Sequence, residues 1–516
     1  MGSYLDEVRN LTGRYPCLTQ LLYDWTRYTP AVYPGGKQPN LASRCGVLEF
    51  TRGDQPTFID LSNPQKLHVY ITQHQTNPCK NRLFILEDLP ETHIEILGSA
   101  LNLNPTVLAD HLFTYHFAMN STIPHRTLPS LTNPEKSFTL RYYELRETDD
   151  RLTGDQTHNP GFNRRTFARA SRPIERWRDL PSRQRGRDVV VDAVRRNVSF
   201  WCTGEVSVSG EDDKTGWTAI LFVDPPMNSH RAGRDTYYIL DKDKDKASNA
   251  WQPQVQWSKP YHSGYHDFRP WNARSASSFP GPSRQSLFDD IIFHWTHANR
   301  REIDSVFDSS ANATLFVNRI VASHWFNLLD LQYKTISTID MTSKDGRRRP
   351  KGKDKTAAGW REELEYYNKR LSLLGILQRR IMWYKQEVIL NLERLGFPAF
   401  GGNAPQQTAL TATTHDLNAI LDELNRHESR IDNLLGIVTD SINLSSALRS
   451  LHDARFGLHL SIAGAIIFPI TLVAAVFSMG DTFAPGQERF WIPWVVAVPL
   501  VGVLLCAIWW MQRGRT

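Results

Sequence analysis

Apolar and polar positions change their rhythm twice along this 516-residue chain. In the first half the apolar runs are short and rich in β-branched and aromatic residues. "PTFIDL" (56–61), "KLHVYIT" (66–72), "RLFILED" (82–88), "SFTLRYYEL" (137–145), "NVSFWCTG" (197–204), "GWTAILFV" (216–223) and "TYYIL" (236–240) predict strands. "ETHIEILGSAL" (91–101) and "PTVLADHLF" (105–113) predict helices between them. Residues 150–190, Arg-rich and polar, and residues 241–285, rich in Pro, Ser and aromatics, predict loops or insertions. The class expected is mixed α/β.

From about residue 285 the period becomes helical, and two long heptad patterns follow. Trp360, Leu364, Tyr367, Leu371, Leu374, Gln378, Ile381, Lys385, Val388, Leu392 and Leu395 recur at spacings of four and three, up to a stop at Gly396 and Pro398. Leu417, Leu421, Leu424, Glu428, Ile431, Leu435, Val438 and Ile442 repeat the pattern. Nothing after Ile442 breaks it, so Thr414 to Met479 predicts one rod on the order of 100 Å long.

The rhythm then disappears into two uncharged runs. Gly457 to Met479 has 23 residues without Asp, Glu, Lys or Arg, roughly 34 Å of helix against a hydrocarbon core of about 30 Å. Trp491 to Met511 has 21, with Trp491, Trp494, Trp509 and Trp510 near its ends, where amphipathic rings favour an interface. The alternative is a buried core hairpin. Arg449 and Arg455 precede the first run and Arg513 and Arg515 follow the second, which places both ends in the cytosol and the loop outside. The organisation expected is a cytosolic domain (1–340), a polybasic linker (341–357), a helical stalk (358–456), a first span (457–479), an outer loop (480–490), a second span (491–511) and a short cytosolic tail (512–516). The plasma membrane is the favoured location.

Composition narrows the partners. The net charge is +6, only mildly basic, and no nucleic-acid partner is expected. Five cysteines without repeated spacing argue against a disulfide framework and fit a reducing compartment. The N-terminus has no secretory signal, and Asp6 breaks a myristoylation motif. Seven basic and two acidic residues lie between Lys344 and Lys355, either a solvated linker or a contact for acidic lipid headgroups. The sequons at Asn10, Asn120, Asn197, Asn312 and Asn443 all precede the first span and are expected to be unused. No phosphate loop, nucleophile elbow or zinc-protease helix occurs, so no enzyme and no permanent cofactor is expected. "DKDKDK" (241–246) lacks the later ligands of a calcium loop, and His262 and His266 read as surface residues.

Gly457, Leu460, Gly464, Phe468, Thr471 and Ala475 recur at three and four and so share one helix face. Two spans cannot enclose an aqueous path, so a pore would need several chains. Packing of small residues between spans is the other reading of the same face.

"IIFPITLVAAVFSMGD" resembles the end of the first span in CorA-type magnesium transporters, with Pro469, Thr471, and Ser478-Met479-Gly480 where the family has Gly-Met-Asn. "GSALNLNPTVLADHLF" is similar to the family's cytosolic motif, with Asn104-Pro105-Thr106 and then Ala109-Asp110. The resemblance implies a CorA-like fold: an α/β cytosolic domain, a long helical stalk and two C-terminal transmembrane helices, assembled as a pentamer. It implies passive transport of divalent cations, magnesium first, with the six-residue face turned to the axis. Phe468 and Leu460 would then form a constriction. At the mouth the family's Asn is replaced by Gly480, which has no side chain; backbone carbonyls, Asp481 or Glu488 would have to serve, unless Asp481 is only a solvated loop residue. Asp110 matches an acid that in the family binds a regulatory cation, with Asp416 or Asp422 as the candidate partner, and Ala109 stands where the family has a second acid. The other reading is a non-conducting membrane-anchored sensor or scaffold that keeps the fold.

Overall fold

The computed structural model describes residues 3–15, 18–19, 22, 43–74, 81–112, 133–149, 164–166, 174–177, 183–184, 187–203, 216–226, 229–232, 254–269, 281–344, 357–397, 408–478 and 488–513. The chain divides into two units, residues 1–345 with 376–431, and residues 346–375 with 432–516.

The first unit is built on a sheet. In chain order come α1 (Tyr4–Asn10), β1 (Cys45–Phe50), β2 (Thr57–Asp60), α2 (Pro64–His74), β3 (Asn81–Glu87), α3 (Glu91–Leu101) and α4 (Thr106–Leu112). Then follow β4 (Ser137–Asp149), β5 (Arg164–Thr166), β6 (Ile174–Trp177), β7 (Arg183–Gln184), β8 (Arg187–Cys202), β9 (Thr218–Val223), β10 (Ser229–Ala232) and β11 (Gln254–Pro260). The strand order is β2-β1-β3-β9-β8-β4-β11-β10-β5, with β6 and β7 paired to β8. Only the β3–β9 pairing is parallel among the described ladders. β4 and β8 pair from Ser137↔Trp201 to Asp149↔Val189 and form the long middle of the sheet.

Helices α1 to α4 supply Tyr4, Val8, Leu67, Tyr70, Ile94, Leu97 and Leu108 to a core shared with Phe84, Leu86, Ile220 and Phe222 of the sheet. The run at 66–72, expected as a strand, lies in helix α2. Asn63 Oδ1 accepts from the backbone N–H of Gln65 at 2.8 Å, and Pro64 opens the helix. Leu67, Tyr70 and Ile71 are buried at helical spacing, while Val69, which a strand would have put beside Leu67, is 51% exposed. β1 is buried at every position, so it shows no alternation. A Cβ on its Gly46 would lie 2.3 Å from the ring of Phe58, so glycine lets β2 approach. The Arg-rich 150–190 segment, expected as loops, contains β5 to β7 and the start of β8. "TYYIL" at 236–240 and "DKDKDK" lie outside the described residues.

Helices α5 (Leu287–Thr296), α6 (Arg300–Ser305) and α7 (Leu315–Lys344) follow, and the long helices are α8 (Ala357–Arg394), α9 (Thr408–Phe477) and α10 (Ile492–Arg513). Asn391 of α8 seals part of the β4 edge: its side chain accepts from the N–H of Arg141 at 2.9 Å and donates to the Arg141 carbonyl at 2.8 Å. Trp325 Nε1 of α7 donates to the same carbonyl at 3.1 Å. Gly396, at φ +79°, lets Phe397 N–H return to the Leu392 carbonyl at 3.0 Å and ends α8.

Both heptad stripes are buried over Leu374–Leu395 and Leu417–Val438, with intermediate positions one residue earlier than the sequence pattern suggests. On α9 the buried side is Thr413, Leu417, Ile420, Leu424, His427, Ile431, Leu434 and Val438. Leu421, Glu428 and Leu435 lie on its flank. On α8, Leu377 and Tyr384 are buried where Gln378 and Lys385 were expected. The polar residues inside the stripe marked the misreading. Lys385 Nζ instead reaches Glu428 Oε2 at 2.6 Å along the flank. Leu364, near the start of α8, is 45% exposed.

Candidate functional site

The apolar stretch of α9 carries the face expected to be functional. An 18-residue window of this helix has a mean hydropathy of 2.1 and is 6% buried, and among the described residues it is the one helix long and apolar enough to cross a membrane. The described apolar stretch of α10, Ile492–Leu504, is shorter.

Gly457, Leu460, Gly464, Phe468, Thr471 and Ala475 are all exposed, Leu460 by 65% and Phe468 by 68%. A Cβ added to Gly457 or Gly464 would meet nothing within 4 Å. The less exposed side is Ile462, Ala465, Ile466, Pro469, Ile470 and Val473. At about 100° per residue the two sides are on opposite faces. The hydroxyl of Thr471 donates back to the carbonyls of Ile467 and Phe468, at 3.1 and 2.9 Å, beside Pro469, which has no N–H to give. Ser478 Oγ donates to the Ala475 carbonyl at 3.1 Å and closes the helix end. Glu488 is exposed in the turn before α10. Met479, Gly480 and Asp481 lie outside the described residues, as does the linker from 345 to 356.

In the first unit, Asp110 sits on α4 within the electrostatic reach of Arg394 on α8. Arg394 also donates to the Thr139 carbonyl at 3.0 Å. A cation at Asp110 therefore meets a fixed guanidinium charge. Asp416 and Asp422 are on α9; burial raises the Asp416 carboxyl above its ordinary range. Among the described residues no three His, Cys, Asp or Glu side chains gather as a metal cage. His262 and His266 are exposed.

The pattern of the sequence did not reveal two sets of buried charges on β4 and β8, one on each face of the sheet. Glu387 of α8 takes Arg195 of β8 and Arg141 of β4, the latter at 3.3 Å. Burial pushes the Glu387 carboxyl up, but the two guanidiniums reverse this and hold it below its ordinary value. Burial, with Arg394 nearby, lowers Arg141 to about 9. Glu144 bridges Arg146 at 2.9 Å and Arg196 at 2.8 Å; burial opposes its charge, yet the pair holds it down at about 2. Beside these charges is a small cavity of about 20 Å³, lined by Tyr142, Glu144, Arg196, Tyr265, Asp290 and His324. It has room for a water or two. Burial raises Asp290 to about 6 and lowers His324 to about 4. The one signal available in advance was charge alternating with Val and Phe in residues 187–202.

Residues 292–513 match the family described as CorA-like Mg2+ transporter protein. This C-terminal part of the chain is CorA-like. The match begins inside α5 and takes in α7 to α10, so the sheet and the Asn104–Asp110 segment precede it. The solved structure of the full-length CmaX protein aligns at 10% identity over 92% of this chain and 99% of that one, with a TM-score of 0.35. No curated protein matches. The CorA-like region thus contains the apolar helices and the small-residue face, while the buried charges span its boundary: Glu387 and Arg394 lie inside, Arg141 and Arg195 before it.

Proposed function

We propose that this chain conducts divalent cations across a membrane, magnesium first, as a homo-oligomer whose copies turn the Gly457–Ala475 face towards a shared axis. The observation that carries the reading is that face: small or hydroxylated at four of six positions, exposed along its length, and opposite the side that the chain itself covers. It lies in the stretch matched to a family described as Mg2+ transporters. A pentamer, two spans with both ends in the cytosol, and an outer mouth at Ser478–Asp481 with Glu488 belong to the same proposal, as do acidic lipids at Lys344–Lys355. The site at Asp110 with Asp416 or Asp422 is its weakest element, since Arg394 competes there with any ion.

Magnesium releases its water reluctantly, so a selective mouth needs fixed oxygen dipoles around the hydrated ion. Gly480 offers none from a side chain, which leaves backbone carbonyls and the carboxylate of Asp481. That substitution favours a second reading, a sensor or scaffold that does not conduct. Divalent uptake into proteoliposomes separates the two. Conduction requires uptake by the wild type, weakened by Asp481→Asn more at low salt than at high, because screening shortens the reach of that charge. A wild type that takes up nothing, in a preparation whose mass is several times 59.2 kDa, selects the scaffold. Protease that cleaves a tag near Pro485 from outside intact cells, and spares tags at both termini, tests the topology.

A further inference from the structure

The cavity between β4, β8, α5 and α7 holds more hydrogen-bonding capacity than the chain uses. Tyr142 is 3% exposed and lines it, and no hydrogen bond joins its hydroxyl to a described residue. The ring of His324 and the amide of Asn327, one turn apart on α7, line it in the same unbonded state. Arg196 donates from Nε to Glu144 and from Nη1 to the Pro225 carbonyl, each at 2.8 Å, which leaves Nη2. Arg284 is the clearest orphan. Its Nε is buried without a partner, and its guanidinium lies 5.8 Å from the centroid of the Tyr265 ring. Gly264 makes room for this side chain, since a Cβ there would come within 2.8 Å of Arg284 Cδ. The acceptors, by contrast, are mostly taken. Glu144 holds Arg146 and Arg196, and Asp224 accepts the Asn197 N–H at 2.8 Å. Asp290, 3% exposed, accepts on Oδ1 from the Arg284 N–H at 2.9 Å and from Ser283 Oγ at 3.2 Å, and Tyr265 bonds it as well. A carboxylate has about four acceptor sites, so one is left. The unused set is therefore several donors and one acid. A metal cation would meet the guanidiniums there, and a bare anion would meet the Asp290 carboxylate.

We propose that this cavity binds a small oxyanion that carries its own proton, hydrogen carbonate or hydrogen phosphate. Its oxygens accept from Arg284, Arg196 Nη2, Asn327 and Tyr142, and its O–H donates to Asp290. An anion without a proton sets a lone pair against that carboxylate, so the same acid that holds the ligand rejects sulfate and chloride. Gln285 lines the cavity and is exposed, which gives it a mouth to solvent. The ligand displaces the water inside and keeps its outermost oxygen at this mouth. All these residues belong to the sheet-bearing unit, so the site stands without the transport reading and needs no second copy.

Isothermal titration of the full chain in nanodiscs, in magnesium-free buffer at pH 7.5 and constant ionic strength, tests the site with the sodium salts of bicarbonate, phosphate, sulfate and chloride. Bicarbonate, phosphate or both should bind about tenfold or more tightly than sulfate and chloride, the worth of one charge-assisted hydrogen bond. The first two arms decide which of the proton-carrying anions is taken. Arg284→Gln should weaken binding by about tenfold, since it removes the charge and most of the donors. If that variant does not fold, Asn327→Leu makes the same comparison. Asp290→Asn, whose amide donates as well as accepts, should bring sulfate within about threefold of the proton-carrying anions. A purely structural role for Asp290 would leave that ratio unmoved. The site is overturned if neither proton-carrying anion binds, if the wild type holds sulfate or chloride equally well, if Arg284→Gln and Asn327→Leu both bind as the wild type does, or if Asp290→Asn keeps the wild-type selectivity.

Discussion

The two units solve opposite problems. Behind β4 and β8 the first unit puts charge inside and neutralises it locally, as Glu387 does with Arg141 and Arg195. Along the apolar stretches of α9 and α10 the second unit puts aliphatic and aromatic side chains outside: Phe468 is 68% exposed, Val503 69% and Trp510 79%. Neither arrangement suits the other's surroundings. Buried ions without partners cost several kcal/mol each, and an exposed apolar helix in water loses about 25 cal/mol for each Å² left uncovered. The difference is one of what each unit hides: the first encloses paired charge, and the apolar stretches of the second leave bulky side chains uncovered within one chain.

The largest effect should come from breaking the inside-out charge. Glu387→Ala leaves two buried guanidiniums facing each other, and chemical denaturation of the first unit should show a loss of about 3–5 kcal/mol. Replacing Glu387, Arg141 and Arg195 together with Leu or Met should restore much of it. A Glu387→Ala protein as stable as wild type would mean that the cluster is solvated.

Asp290 tests the same rule with the opposite sign. Its carboxyl is raised from 3.8 to about 6 by burial, so the fold favours the neutral form. Wild-type stability from this group is present below its ordinary value and is lost as pH rises through about 6. Asp290→Asn should match wild type near pH 4. It should gain on wild type by up to about 3 kcal/mol by pH 8, read as a widening gap between melting midpoints.

On the other side of the comparison, Gly464→Leu fills a position where a Cβ now meets nothing. If that face lines a shared path, divalent uptake should fall about tenfold or more with insertion unchanged, since a hydrophobic constriction gates by dewetting. Val498→Leu on α10 should leave uptake alone. Equal effects of the two would assign both faces to lipid.

The smallest effect belongs to the flank. Lys385 and Glu428 are both partly exposed, so Lys385→Met should cost no more than about 1 kcal/mol in a denaturation midpoint. A larger loss would extend the rule of buried charge to the helix surface.

What the sequence revealed depended on whether burial leaves a periodic trace. α3 was legible to the residue, because Ile94 and Leu97 fall on one helical side behind Pro90. β1 was missed because burial on both faces erases alternation, and α2 was misread because its β-branched residues outweighed the Asn63–Pro64 start. The heptads were found, yet their intermediate positions were misassigned by one residue; only the opposing helix shows that His427, and not Glu428, faces inward. The pairing of Arg195, which lies between the segments read as loop (150–190) and strand (197–204), left no local trace because its partner Glu387 is 192 positions away. As for the candidate site, its face was legible from spacing alone. What the face meets is set by surroundings beyond this one chain's contacts, and spacing within the chain carries no mark of them.

Pro469 makes α9 mechanically uneven. The ring removes the N–H that would have met the Ala465 carbonyl, so the rungs of the helix are one short at that level. Thr471 adds its hydroxyl to the Ile467 and Phe468 carbonyls, one turn on, and the gap at Ala465 remains. Bending stiffness is lowest where a rung is missing. Thermal motion therefore concentrates its flexing between Gly464 and Thr471, within one turn of Phe468. The bulkiest side chain of the small-residue face thus sits at the elastic joint of the rod, where bending turns it relative to the helix on either side while the helix ends are displaced further.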